Sequence, residues 1–141
     1  MNQSIPKNAF EKISIQYAQV VDNKPIHIYY ERPNLLSLLP QAIAGLNILD
    51  LGCGSGWYAE HLTKLGANVS AIDSSPTMVE LTRQRVPAIQ VFLADLEEPL
   101  DFLKDSTFDF IVAPLVIHYV KDWYSLFHAY PDSTCTIFGF A

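Results

Sequence analysis

The sequence predicts an α/β fold, a doubly wound and mostly parallel sheet with strand order 3-2-1-4-5, on three observations. Short apolar runs alternate with segments whose apolar residues recur at helical intervals. The runs are apolar along nearly their whole length, which is how strands read when helices cover both faces of a sheet. Finally, the run Asn47–Leu51 breaks into Gly52-Cys53-Gly54-Ser55-Gly56, and Asp50, Asp73 and Asp95 each stand at the carboxyl end of a strand-like run. Right-handed crossovers bring all of these to one edge of the sheet, at the switch between the first and fourth strands, where such folds bind ligands.

Taken in order, Phe10, Ile13, Tyr17 and Val20 mark one face of a helix over Phe10–Val21. A polar, proline-containing connector, Asp22–Arg32, leads to Pro33, which suits a helix first turn, and to a second helix carrying Leu35, Leu36, Leu38, Leu39 and Ile43. Asn47–Leu51 is the first strand. Tyr58, Leu62 and Leu65 line a helix that Gly66 ends, and Val69–Ile72 is the second strand. Ser75-Pro76 gives an N-cap and a first-turn proline, opening a helix through Met78, Val79 and Val86 that stops before Pro87. Ile89–Leu93 is the third strand, Asp95–Lys104 an acidic loop with a short helix, and Phe108–Val112 the fourth strand. Trp123, Leu126, Phe127 and Tyr130 line a helix behind Asp122, and Thr134–Phe140 is the fifth strand.

At 141 residues, half of them apolar, the chain fits a single domain with a real core: N-terminal helices over 1–45 and the α/β core over 46–141. A net charge of −6 with nine scattered Lys and Arg argues against nucleic acid as a partner. The apolar stretch Ile111–Ile117 falls far short of the roughly 20 residues that a membrane span needs. Polar residues fill the amino terminus where a signal peptide carries its apolar core, so the protein is expected to be soluble and cytoplasmic. Cys53 and Cys135 show neither metal-ligand spacing nor a disulfide framework, and no metal is expected. Cys53 reads as a small residue tolerated in a tight loop, with no acid–base partner nearby in sequence to make it a nucleophile.

Alternate glycines let a loop's backbone approach a ligand where a Cβ would clash. Three acids at three strand ends describe a site for hydroxyls, amines and positive charge, and one that repels phosphates. A nicotinamide-dependent oxidoreductase is therefore disfavoured, the more so because the loop reads Gly-x-Gly-x-Gly and not Gly-x-Gly-x-x-Gly.

Four blocks in this order, Leu49–Gly56, Ala71–Met78, Phe92–Leu96 and Phe108–Val112, resemble class I S-adenosylmethionine-dependent methyltransferases. These have a Rossmann-like core, and the small-molecule branch that includes ubiquinone and menaquinone biosynthesis enzymes is the most similar. The resemblance implies that Gly52, Cys53, Gly54, Ser55 and Gly56 pass under the methionine and ribose portions of S-adenosyl-L-methionine, with Asp50 ordering that loop. It implies further that Asp73, followed by Ser74, accepts both ribose hydroxyls, that Asp95 lies near the adenine amine, and that Leu96 and Met78 pack against the ring.

Methyl transfer is an in-line displacement at an activated carbon, so alignment and exclusion of water matter most. A general base is needed only for an acceptor that must lose a proton. His118, just past the fourth strand, is the catalytic candidate, with a structural or surface histidine as the competing reading. Tyr17 and the pair Tyr29-Tyr30 read either as a lid over the methyl group, the role of the N-terminal helix in similar enzymes, or as amphipathic packing.

The last segment departs from the family, with Pro131-Asp132-Ser133 in place of a glycine-rich turn and no further helix and antiparallel strand pair after it. An apolar edge strand with Ile137, Phe138 and Phe140 then predicts a homodimer through that strand. Two functions follow: methyl transfer to a small organic acceptor or, alternatively, a noncatalytic, shortened methyltransferase-like binding module.

Overall fold

The computed structural model describes residues 7–103, 107–114, 121–122 and 134–138 of the chain. One sheet contains β1 (Asn47–Leu51), β2 (Asn68–Asp73), β3 (Gln90–Leu93), β4 (Phe110–Pro114) and β5 (Thr134–Phe138). The strand order is β3-β2-β1-β4-β5 and every pairing is parallel, as the alternation of strand and helix predicts. The helices are α1 (Lys7–Val21), α2 (Arg32–Ser37), α3 (Trp57–Lys64) and α4 (Pro76–Arg85). A π-helical turn, His27–Glu31, precedes α2, and a 3-10 turn, Asp101–Leu103, lies in the acidic loop before β4.

β1 takes the middle of the sheet because its residues are buried on both faces. Ile48 enters a cluster with Leu35, Leu62, Val69 and Val112, while Leu49 and Leu51 join Ile72, Leu103 and Ile111 in a second cluster. All three β1 side chains are fully buried, and each contributes about 1.5–3 kcal/mol of transfer free energy. The same alternation puts Asp50 on the face of Ile48, one residue from the strand's end.

Several boundaries differ from expectation. The second helix ends at Ser37 instead of continuing to Ile43, because Pro40 has no N–H to donate and disfavours helical backbone at Leu39. Short bonds from the Leu38 and Leu39 amides to the Leu35 and Leu36 carbonyls tighten its last turn, and Ile43 reaches the core from a loop. The connector Asp22–Arg32 contains the π-helical turn, which runs into α2 without a break. β4 begins at Phe110, two residues later than expected. Here the Asp109 carboxylate accepts the Asn47 N–H at 2.8 Å while the Asp109 N–H donates to the Asn47 carbonyl at 2.8 Å. This reciprocal pair ties the entrances of β1 and β4 across 62 residues.

α4 forms as its capping residues predict: the Ser75 hydroxyl accepts the Met78 N–H at 3.2 Å and Pro76 opens the helix. α1 docks onto that same end. Glu11 accepts the Thr77 N–H at 3.0 Å and the hydroxyls of Ser75 and Thr77, a placement that the positive end of α4 favours. The expected helix over Trp123–Tyr130 and residues 139–141 lie outside the described residues. Among the described residues no helix is long and apolar enough to cross a membrane.

Candidate functional site

The turn leaving β1 is clamped from the β2 side. The N–H groups of Gly52 and Cys53 share the Ile72 carbonyl at 2.8 and 2.9 Å, and the Thr82 hydroxyl donates to the Gly54 carbonyl at 2.8 Å. Gly56 starts α3 with φ +95°, and a Cβ there would meet Thr82 Oγ1 at 3.0 Å and Cγ2 at 3.1 Å. Gly54, at φ +57°, has the opposite surroundings: a Cβ built on it meets nothing within 4 Å. Backbone and open space therefore face each other at Gly54, which is where a ligand can come close.

Asp73 does the ordering expected of Asp50. One of its oxygens accepts the Gly54 N–H and the other the Ser75 N–H, both at 2.9 Å. Burial pushes its carboxyl up, against these N–H bonds and a further one from Ser74, and the Glu11 charge adds to the rise. With three N–H groups accepted, about one of the carboxylate's four lone-pair positions stays open to a ligand hydroxyl.

Asp50 is fully buried, and among the described residues neither carboxylate oxygen has a hydrogen-bond partner. The reading of Asp50 as the residue that orders the loop is corrected: its oxygens accept no loop amide, and that work falls to Asp73. Burial, then the charges of Asp73 and Glu31, push its carboxyl up to about 8. An unpaired carboxyl group in this position is costly to the empty protein and complementary to a cation.

The other expected residues are dispersed around this centre. Cys53 is buried, 3.5 Å from the Thr82 hydroxyl, and burial with the nearby Asp50 pushes its thiol up, so it stays protonated and unreactive. Ser55 is half-buried in the loop and Ser74 is exposed beyond β2. Asp95 folds its own turn, accepting the Glu97 N–H at 3.0 Å, and Leu96 packs against the cluster containing Leu103 and Phe108. Met78 is fully buried in the first turn of α4, so its side chain serves packing and, contrary to expectation, exposes no surface to a ring. Tyr17 is half-buried with Lys24 Nζ 5.2 Å from its ring centroid, whereas Tyr30 is half exposed beside the more exposed Tyr29. His118 lies outside the described residues.

A second cluster joins the site from a segment read as mere connector. Glu31 is 2% exposed; its two oxygens take the Tyr58 hydroxyl and His27 Nδ1, each at 2.5 Å. Arg32 stacks over Trp57 at 4.0 Å and donates to the Asp22 carbonyl at 2.7 Å. Burial, and then the bond to Glu31, push the Tyr58 phenol up, so it remains a donor. The available signal was His27 and Glu31 four residues apart, a spacing that puts both on one side of a helical turn. Among the described residues no group of three or more His, Cys, Asp or Glu is arranged to hold a metal ion.

An open sheet with order 3-2-1-4-5, a glycine turn after β1 and acids at the ends of β1 and β2 define a doubly wound α/β domain with an anionic cradle at its carboxyl edge. Residues 49–130 match the methyltransferase domain family, and the chain belongs to that family. A ubiquinone biosynthesis O-methyltransferase of Methylocella silvestris is 36% identical over 85 residues, covering 59% of this chain and 33% of that protein. An S-adenosylmethionine-dependent methyltransferase from Mesorhizobium loti superposes with a TM-score of 0.65 at 33% identity, over 78% of this chain and 51% of that one. A TehB-like S-adenosylmethionine-dependent methyltransferase from Corynebacterium glutamicum superposes with a TM-score of 0.71 at 25% identity, over 92% of this chain and 77% of that one. The chain thus spans about a third of the length of the curated relative and half of the first solved neighbour.

Proposed function

We propose that the protein binds S-adenosylmethionine above the carboxyl ends of β1 and β2 and transfers its methyl group to a small organic acceptor. The observation that carries this reading is the pairing of Gly54, open on its Cβ side, with the buried and unpartnered carboxyl group of Asp50. The residues fit the cofactor: it brings an ammonium, a sulfonium and two vicinal hydroxyls to a site that offers carboxylates and close backbone. When bound it supplies a methyl group already activated on sulfur.

The chain's own residues then bind, orient and exclude water. Asp50 would receive the ammonium, Asp73 would accept a ribose hydroxyl through the lone pair that its N–H bonds leave open, and the Gly52–Gly56 turn would let backbone come close to both. Asp95 and Leu96 bound the adenine side. His118 is the base for an acceptor that must lose a proton, and the N-terminal segment with Tyr17 and Tyr30 covers the methyl group. The O-methyltransferase relative supports a small oxygen nucleophile as the acceptor class.

Calorimetry with S-adenosylhomocysteine tests the site, and transfer of a labelled methyl group to a panel of small phenols and acids tests the reaction. Asp73→Ala weakens binding by about 1–3 kcal/mol as a ribose hydroxyl loses its acceptor. Folded protein that takes up no S-adenosylhomocysteine overturns the reading. Uptake with no transfer to any acceptor supports the binding module instead.

A further inference from the structure

We propose that Glu31, carried by the π-helical turn, is a positioning residue of the cofactor site that acts through Asp50, so that docking of a cationic ligand expels a proton held there. The inference rests on the proposed S-adenosylmethionine site and adds to it a residue outside the glycine-loop and strand-end motifs.

Three buried acidic side chains from separate elements, all 9% exposed or less, gather around the turn after β1: Asp50 lies on the face of Ile48, which packs in the same cluster as Tyr58, Tyr58 bonds Glu31 of the turn before α2 at 2.5 Å, and Asp73 of β2 holds Gly54 at 2.9 Å. Their partners are unequal. Asp73 is held by backbone N–H groups and Glu31 by Tyr58 and His27, while Asp50 has none among the described residues. The groups facing Asp50 are the Asp73 and Glu31 carboxylates, the Cys53 thiol from the loop and the Tyr58 phenol from α3. Arg32 acts on Glu31 and Tyr58 and turns its guanidinium to Trp57 and Asp22. Glu11 adds its charge on Asp73 from α1.

With two negative neighbours and no donor, a buried carboxyl keeps its proton near neutrality, and its place near 8 agrees. An incoming ammonium supplies the missing positive charge, the carboxyl ionises, and the proton leaves to solvent. The sign follows: affinity rises with pH up to the free group's pKa, about tenfold per unit in the steep range. Glu31 adds to the rise, behind burial and Asp73, and is kept in place by the bond from Tyr58.

The test is calorimetric titration of the full chain with S-adenosylhomocysteine at pH 7, in two buffers of different ionisation heat, repeated with 5′-methylthioadenosine, which lacks the amino-acid end. Wild-type protein is expected to release close to one proton per site with the first ligand and none with the second. Glu31→Gln should cut the release by half or more and move the affinity rise to lower pH, while Glu31→Asp keeps both. Circular dichroism checks that each variant is folded. Wild-type binding without proton release overturns the proposal whatever the variants do, and release unchanged in Glu31→Gln overturns the role of Glu31. Absence of binding at every pH overturns the cofactor site itself, and this inference with it.

Discussion

Thr82 and Gly56 are fitted to each other: the threonine side chain lies where a Cβ on the glycine would sit, 3.0–3.1 Å from it, while its hydroxyl reaches past to the Gly54 carbonyl. The N-cap of α3 and the second turn of α4 are thereby packed through the glycine loop, and the loop's shape depends on both.

Gly56→Ala combines a left-handed backbone with an overlap on Thr82, including its Cα at 3.3 Å. A loss of about 2–4 kcal/mol in urea denaturation is expected. Gly54→Ala meets only the backbone strain and should cost less, so equal losses would show that the overlap is unimportant.

Asp50→Asn gives a pH-dependent gain in stability. In the folded, ligand-free protein the Asp50 carboxyl stands near 8, above its unfolded value of 3.8, so its contribution is intact below 3.8 and lost as pH rises through 8. Across that interval the wild type should lose up to about 1.4 kcal/mol per pH unit relative to the variant. Melting temperatures of both proteins at pH 5, 6.5 and 8 measure it, and a constant difference would contradict the burial of an ionisable group there.

Tyr58→Phe leaves the buried Glu31 with His27 as its side-chain hydrogen-bond partner among the described residues and removes the tie between the π-helical turn and α3. A destabilisation of about 1–3 kcal/mol is expected in denaturant titration. Faster hydrogen exchange over residues 27–37 should accompany it, since that segment is what the bond holds.

Glu11 holds α1 to the start of α4, and the hydroxyls of Ser75 and Thr77 draw its carboxyl below the usual value. The tether is therefore present above pH 4.5 and lost as the pH falls through the lowered value. Glu11→Ala at pH 7 should raise hydrogen exchange in α1 while leaving that of β1 and β2 unchanged.

Much of the scaffold was legible because its punctuation is local. Ser75-Pro76, Gly66 and the glycines after Leu51 fix where helices and turns start and stop from their own backbone preferences, and the strand order followed from parallel crossovers. The early end of α2 was a local signal, Pro40, given too little weight, and the other errors came where a distant partner decides. Phe108 reads as strand until the Asp109 side chain is seen taking the Asn47 amide. The π-helical turn was illegible because Tyr58, 27 residues away, completes the pairing of its acid. The loop-ordering role expected of Asp50 fell to Asp73 for a similar reason: both stand at strand ends, and only the folded loop shows which one faces amides and which one faces none.

The link between Asn47 and Asp109 also bears on biosynthesis. As the polypeptide leaves the ribosome, the central strand can zip to β2 almost at once, yet its other flank waits for 62 more residues to be translated. Throughout that delay Leu49 and Leu51 lack the cover of Ile111, leaving a greasy, half-finished ribbon open to aggregation. Slowing elongation ahead of codon 109 should therefore lower soluble yield without altering a single interaction in the finished molecule.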